Sequence, residues 1–442
     1  MQLRRIDHST LWHPFTQMQA YAEENAPIIE RGEGVRLYDT EGRQYFDGVS
    51  SLWCNVHGHR HPRIDAAIRD QLDRVAHSTL LGLGSVPSIR LAERLADLAG
   101  MPHVFYADSG AAAVEIAMKV AFQYMQRTHG SKRTKFVAFR NSYHGDTLGA
   151  VSVGGIDIFH SIFKPLLFET LFAPSPYTYR WPNDRCAEES LAAFDELLAG
   201  HADEIVAVII EPMVQGAAGM IVQPPGFLAA VRRKAREQDV LFIADEVATG
   251  FGRTGRMFAV EHDDVRPDVL VLGKGITAGY LPLSAACFTS EIYESFLGRH
   301  EEFRHFLHGH TYTGNALACA AALASLDVFA AEKTLETLGD KIMLVREELK
   351  SLADHEHVGE IRQCGMMVGI ELVADRHTKR SFDPAERKGH QVILEARRRG
   401  MIIRPLGDVI VFMPPLSSTE KELREMCGIL KESIEETKIP KS

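Results

Sequence analysis

Lys274 stands between two glycines at the end of the apolar run VLVLGKG, residues 269–275. An amine in so apolar a setting is held toward its neutral, nucleophilic form, because burial disfavours the charged one. That makes Lys274 a candidate covalent anchor for a carbonyl-bearing molecule. In IADEVATGFGRTG, residues 243–255, Asp245 directly follows Leu241, Phe242, Ile243 and Ala244. A carboxylate there is costly unless a cation or a strong donor meets it. Two partners suit it: Arg253 or Arg256 in the loop that follows, or a protonated heterocyclic nitrogen.

Three more segments place polar residues just beyond apolar runs. In ADSGAAAVEIAMK, residues 107–119, a strand passes through Ser109 and Gly110 into a helix. Free N–H groups and the helix dipole there suit a phosphate, although Ser109 or Asp108 could equally be a plain N-cap. NSYHGDT, residues 141–147, offers Tyr143 and His144, which could stack on a flat ring or simply pack. IIEPMVQG, residues 209–216, brings Glu211 and Gln215. An anion cradle, a stacking aromatic, a carboxylate for a ring nitrogen and an apolar amine are together what pyridoxal 5′-phosphate requires. Gly273 and Gly275 would then let the backbone approach the ring.

These residues need strands to hold them. HVFYAD (103–108), KFVAFR (135–140), IVAVIIEP (205–212), VLFIADE (240–246) and DVLVLGK (268–274) alternate with helical segments, the pattern of an α/β core with a mainly parallel sheet. Ligands of such sheets gather outside the carboxyl ends of the strands. The helix after Gly110 buries a stripe of Val114, Ala117, Met118, Ala121, Phe122 and Met125. Pro225 suits the first turn of a second, basic amphipathic helix, GFLAAVRRKAREQ. The stretch 173–186 reads as an ordered surface loop. We divide the chain into a large domain over 61–325, a smaller α+β domain over 326–442, and an N-terminal segment 1–60 that joins the smaller one.

With 442 residues, 45% hydrophobic and 24% charged, the chain has ample material for a large core. Lys plus Arg is 49 against 59 acids, a net charge of −10, which argues against a nucleic-acid partner. No run approaches a membrane span, no export signal opens the chain, and six scattered cysteines suit a reducing cytoplasm. HGHRH, residues 57–61, could chelate a metal from alternate positions, but Gly58 and Pro62 favour a turn, and no metal is expected. GFGRTG lacks the GK[ST] ending of a nucleotide loop.

IIEP, IADEVATGFGRTG, PDVLVLGKGI and HGHTYTGNALACAAALASL, in this order and spacing, resemble the class III pyridoxal-phosphate aminotransferases of fold type I. LWHPFTQM (11–18) and DGVSSLWCNVHGHRHP (47–62) narrow the likeness to the biotin-pathway branch, which aminates 8-amino-7-oxononanoate to 7,8-diaminononanoate with S-adenosylmethionine as donor. The resemblance covers nearly the whole chain. It implies Lys274 as cofactor anchor and proton shuttle, Asp245 on the pyridine nitrogen, Tyr143 over the ring, and amides of Gly110 and Ala111 on the phosphate. Thr311, beside Gly309 and His310, would reach the phosphate of a second copy, so the active unit would be a homodimer. Phe15, Trp53 and Gly309 would line the substrate site, and Arg404 would take the keto acid's carboxylate as a bidentate pair. From its own segment Trp53 also reads as a core aromatic, and Arg404 as a surface ion pair.

Three positions depart from the family pattern. Ala111 replaces a serine, Phe15 a tyrosine and His310 a proline. The lysine-using branch has this appearance, so L-lysine stands beside S-adenosylmethionine as donor. Rival readings are a class III aminotransferase acting on an ω-amino acid or diamine, an aminomutase on the same fold, and a silent binding scaffold.

Overall fold

The computed structural model describes residues 2–130 and 132–437. The five expected runs form His103–Ala107, Lys135–Phe139, Ile205–Ile210, Leu241–Glu246 and Val269–Leu272. The last three are buried at every residue, because helices cover both faces of the sheet, so they read as continuous apolar runs rather than alternations. Two further strands complete a seven-stranded sheet, Thr170–Ala173 at one edge and Ser284–Phe288 next to the other.

Ser284–Phe288 is the antiparallel member, paired that way with both Val269–Leu272 and His103–Ala107. The reason is the short link. Residues 273–283 hold only a 3₁₀ turn, Lys274–Thr277, and a parallel return needs a longer crossover. Lys274 therefore sits on the bend where the chain turns back.

Helix Gly110–Thr128 starts at Ser109, whose hydroxyl accepts from Ala112 N at 3.3 Å. Its stripe is buried at Val114, Ala117, Met118, Ala121 and Met125. Phe122 is 38% exposed, a correction with a simple cause: at 100° per residue it falls on the rim of that stripe. The basic helix spans Phe227–Glu237 and its cap is Gly226 at φ 74°, so Pro225 belongs to the preceding turn. The stretch 173–186 is ordered, with a turn at Thr178–Arg180 and Arg180 Nε donating to Glu371 Oε1 at 2.7 Å.

The two chain ends meet. Ile29–Glu33, Arg36–Asp39 and Gln44–Asp47 form a meander that Met401–Ile402 joins in parallel. A second sheet contains Val358–Cys364, Met367–Leu372, Val409–Phe412 and Arg404–Leu406. Helix Ala316–Ala331 runs unbroken through residue 325. Among the described residues no helix is long and apolar enough to cross a membrane.

Candidate active site

Along Leu241–Glu246 successive side chains face opposite ways, so adjacent acids take different fates. Glu246 turns into the protein, accepting from Ala259 N at 2.7 Å and Val260 N at 2.8 Å. Asp245 turns to a cavity of about 470 Å³ at the carboxyl ends of the parallel strands. Parallel register sets Glu246 beside Leu272, which carries Lys274, two residues further, to the same cavity.

The lysine Nζ stands 5.2 Å from the centre of the Trp53 ring. Burial holds the Lys274 amine below its ordinary range, against the opposing pull of Asp245 and Glu211. Its φ is 39°, a left-handed conformation that costs a non-glycine residue energy. The flanking glycines also meet tight packing. A Cβ at Gly275 would lie 2.9 Å from Phe251 Cβ, and one at Gly273 would lie 3.2 Å from Val247 Cγ1. Packing against protein excludes a side chain at 275 and crowds one at 273.

Neither expected arginine meets Asp245. Arg253 donates to Pro414 O at 2.9 Å and Asn55 O at 2.7 Å, and Arg256 donates to Glu261 O. Instead His144 Nδ1 lies 2.7 Å from Asp245 Oδ2, and Val247 N donates to Oδ1 at 3.0 Å. The partner comes from another strand end, which no pattern local to Asp245 could reveal.

Tyr143 enters the same cavity. Its hydroxyl donates to Asp146 Oδ2 at 2.7 Å, and its backbone N–H donates to Glu211 Oε2 at 3.0 Å. Glu211 also accepts from Gly216 N at 3.0 Å, and burial pushes its carboxyl up to about 7. The sequence marked Glu211 only as a polar residue after a strand. The structure makes it a brace under Tyr143.

Trp53 lies in the tight segment Ser50–Trp53, where Ser50, Ser51 and Trp53 all have positive φ. It is 5% exposed, yet it lines the cavity, with Gly216 leaving room for its ring. Arg404 has no carboxylate within ion-pair distance among the described residues, so the surface-pair reading fails. Burial lowers its pKa, and its guanidinium lies 5.7 Å from the centre of the Phe15 ring. Phe15 meets Phe159 edge-on at 5.6 Å, and Phe159 lies 6.4 Å from Tyr143. Phe159 was missed, since its stretch has no periodicity and no motif.

Gly309, His310 and Thr311 are not in this cavity. They line a separate surface concavity, with the exposed Thr311 offering its carbonyl to His77 Nε2 at 2.8 Å and His310 Nδ1 lying 3.1 Å from Asp108 Oδ2. The imidazoles of HGHRH take separate polar partners, although His57 and His61 meet edge-on at 6.0 Å. His57 bonds to Ser325, His59 to Asp47 and His61 to Glu332, because Gly58 at φ 83° turns the chain. Among the described residues no group of three or more His, Cys, Asp or Glu is placed to hold a metal.

The donor set fits pyridoxal phosphate. Gly110 and Ala111 open a helix, where first-turn N–H groups have no acceptor within it, and a Cβ on Gly110 would fall 2.7 Å from Val247 Cγ1. The cradle is thus bare backbone, shaped for an anion. Asp245 and Lys274 line the same cavity, where they would suit a ring nitrogen and a carbonyl carbon, and Trp53 Nε1 is a buried donor without a partner among the described residues.

Residues 18–434 match the family model for aminotransferase class III. The chain is 56% identical over 441 residues to an adenosylmethionine-8-amino-7-oxononanoate aminotransferase of Nitratidesulfovibrio vulgaris, covering 98% of this chain and 81% of that one. A crystal structure of the protein so named from Methanocaldococcus jannaschii superposes at TM-score 0.95 with 47% identity, covering 99% of each chain. An amine transaminase from an uncultivated Pseudomonas species, in its PLP-bound form, superposes at 0.93 with 36% identity, covering 97% of this chain and 99% of that one.

Proposed function

The chain belongs to the class III aminotransferases, and on that premise we propose that it aminates 8-amino-7-oxononanoate to 7,8-diaminononanoate in biotin biosynthesis. One observation carries the reading: a single cavity joins Lys274, Asp245, Tyr143 and the Gly110–Ala111 cradle, with Arg404, near Phe15, free of any carboxylate partner among the described residues. A cation of that kind suits the far carboxylate of a keto acid.

Pyridoxal phosphate, when bound, supplies the electron-accepting ring and the carbon that carries the amino group between two half-reactions. Lys274 would anchor it through Nζ, and that amine is also placed to hold and move a proton. The Asp245 carboxylate would hold the ring nitrogen's proton. Tyr143 would cover the ring, and Trp53 would narrow the opening toward water. The N–H groups of Gly110 and Ala111 would bind the phosphate. Thr311, with Gly309 and His310, completes the site of a second copy, so the unit is a homodimer. All six cysteines are free, which suits a reducing cytoplasm.

The donor is L-lysine or S-adenosylmethionine, and Phe15 is where the choice turns, since a ring without a hydroxyl lies under Arg404. Mixing the cofactor-loaded enzyme with each donor separately, following loss of its visible absorbance, and then adding 8-amino-7-oxononanoate identifies both. Failure to aminate this keto acid with either donor sinks the proposal. It would favour an ω-amine or diamine aminotransferase, a reading that the likeness to the amine transaminase supports.

A further inference from the structure

Asp47 ends strand Gln44–Asp47 and is completely buried, yet it is not among the residues that line the cavity. Both of its oxygens accept from one amide, Ser51 N, at 2.8 and 2.9 Å. Oδ2 also lies 3.3 Å from Asn55 Nδ2 and 3.0 Å from His59 Nε2. A carboxylate only accepts, so both nitrogens donate to it and the His59 hydrogen is on Nε2. The three donors all come from residues 51–59, so this one carboxylate gathers a single loop about itself.

That loop needs a hold. Ser50, Ser51 and Trp53 have φ of 51°, 60° and 64°, and Ser51 has ψ −101°. Such conformations cost a non-glycine residue energy and persist only where the surroundings impose them. Ser50 Oγ donates to Met413 O at 2.7 Å and Arg253 donates to Asn55 O at 2.7 Å, which ties down the two ends. Between those ties the Ser51 amide goes to Asp47. Two residues on, the Trp53 ring lines the cavity 5.2 Å from Lys274 Nζ.

We infer that Asp47 is a positioning residue: by gathering Ser51, Asn55 and His59 it holds the strained turn that presents the Trp53 ring to the substrate. This rests on the reading of Trp53 as a wall of the substrate site. Asp47 lies behind that wall, so its loss reaches turnover through Trp53. Substrate affinity falls, while the proton transfer at Lys274 is kept.

The test makes Asp47→Ala and Trp53→Ala singly and together, and measures KM and kcat for 8-amino-7-oxononanoate on the cofactor-loaded enzyme. Asp47→Ala alone is expected to raise KM about tenfold with kcat within about twofold of wild type. In the Trp53→Ala background the same change should raise KM less than about twofold, because effects that share one route do not add. An equal rise in both backgrounds overturns the inference, as does a wild-type KM in folded Asp47→Ala. A second readout needs no substrate: with Trp12→Phe and Trp181→Phe in place, fluorescence reports Trp53 alone. Asp47→Ala should then make that fluorescence more open to quenching by acrylamide, and unchanged quenching overturns the inference. If Asp47→Ala does not fold, Asp47→Asn, which keeps an acceptor for Ser51 and loses the charge, is judged by the same two criteria. A wild-type enzyme that fails to aminate the keto acid with either donor would overturn the proposed reaction instead, and the quenching would still decide the part of Asp47.

Discussion

The guanidinium carbon of Arg404 stands 5.7 Å from the centre of the Phe15 ring, so the N-terminal segment and the C-terminal sheet meet at one point beside the cavity. The two residues are nearly a chain length apart, yet they form one wall. Phe159 extends that wall to Tyr143.

Restoring a hydroxyl to this wall tests its part in choosing the donor. Phe15→Tyr is expected to move the ratio of half-reaction rates away from L-lysine and toward S-adenosylmethionine by about tenfold, the worth of one hydrogen bond. Stopped-flow absorbance with each donor measures it. An unchanged ratio would remove Phe15 from donor selection.

Arg404→Ala should raise KM for 8-amino-7-oxononanoate by roughly 100-fold, from loss of charge-assisted hydrogen bonds to the carboxylate. Steady-state kinetics against keto-acid concentration checks this. A KM within threefold of wild type assigns the carboxylate elsewhere.

Removing the amine is the most direct test of the chemistry. Lys274→Ala is expected to lose the visible absorbance of the lysine-bound cofactor and to slow turnover by at least about 10³-fold, as for a lost proton-transfer group. Wild-type activity in that variant would falsify the assignment.

The cradle depends on Gly145. Its φ is 123°, and a Cβ there would collide with the Ala111 side chain. Gly145→Ala should weaken cofactor binding about tenfold or more through displacement of the Ala111 N–H, while Gly200→Ala, where a Cβ meets nothing, should leave it unchanged. Equilibrium dialysis of both variants gives the answer.

Glu246 makes stability depend on pH. It is fully buried, and burial pushes its carboxyl from an ordinary 4.5 up to about 7. Between those values the folded chain keeps a proton that the unfolded chain has released, so stability falls as pH rises through the window and then levels. The loss from this group is on the order of 3 kcal/mol. Urea unfolding of the cofactor-free protein at pH 5 and pH 8 should show a smaller fall for Glu246→Gln than for wild type; equal falls would remove Glu246 from the account.

Much of this site was legible in the sequence because strand ends are. Apolar runs broken by Asp245, Lys274, Ser109–Gly110 and Tyr143 mark where a parallel sheet opens, and one cavity does gather them. Period and polarity act locally, so they survive in one dimension. Which strands become neighbours does not. That decided that Asp245 meets His144 rather than Arg253, that Arg253 serves backbone carbonyls, and that Glu211 braces Tyr143. It also placed Thr311 outside the cavity and brought Phe159 to Phe15. The residue types and their order fixed what chemistry was on offer; sheet order and the short link 273–283 decided which groups touch, because a buried polar atom takes whichever partner the packing brings within about 3 Å.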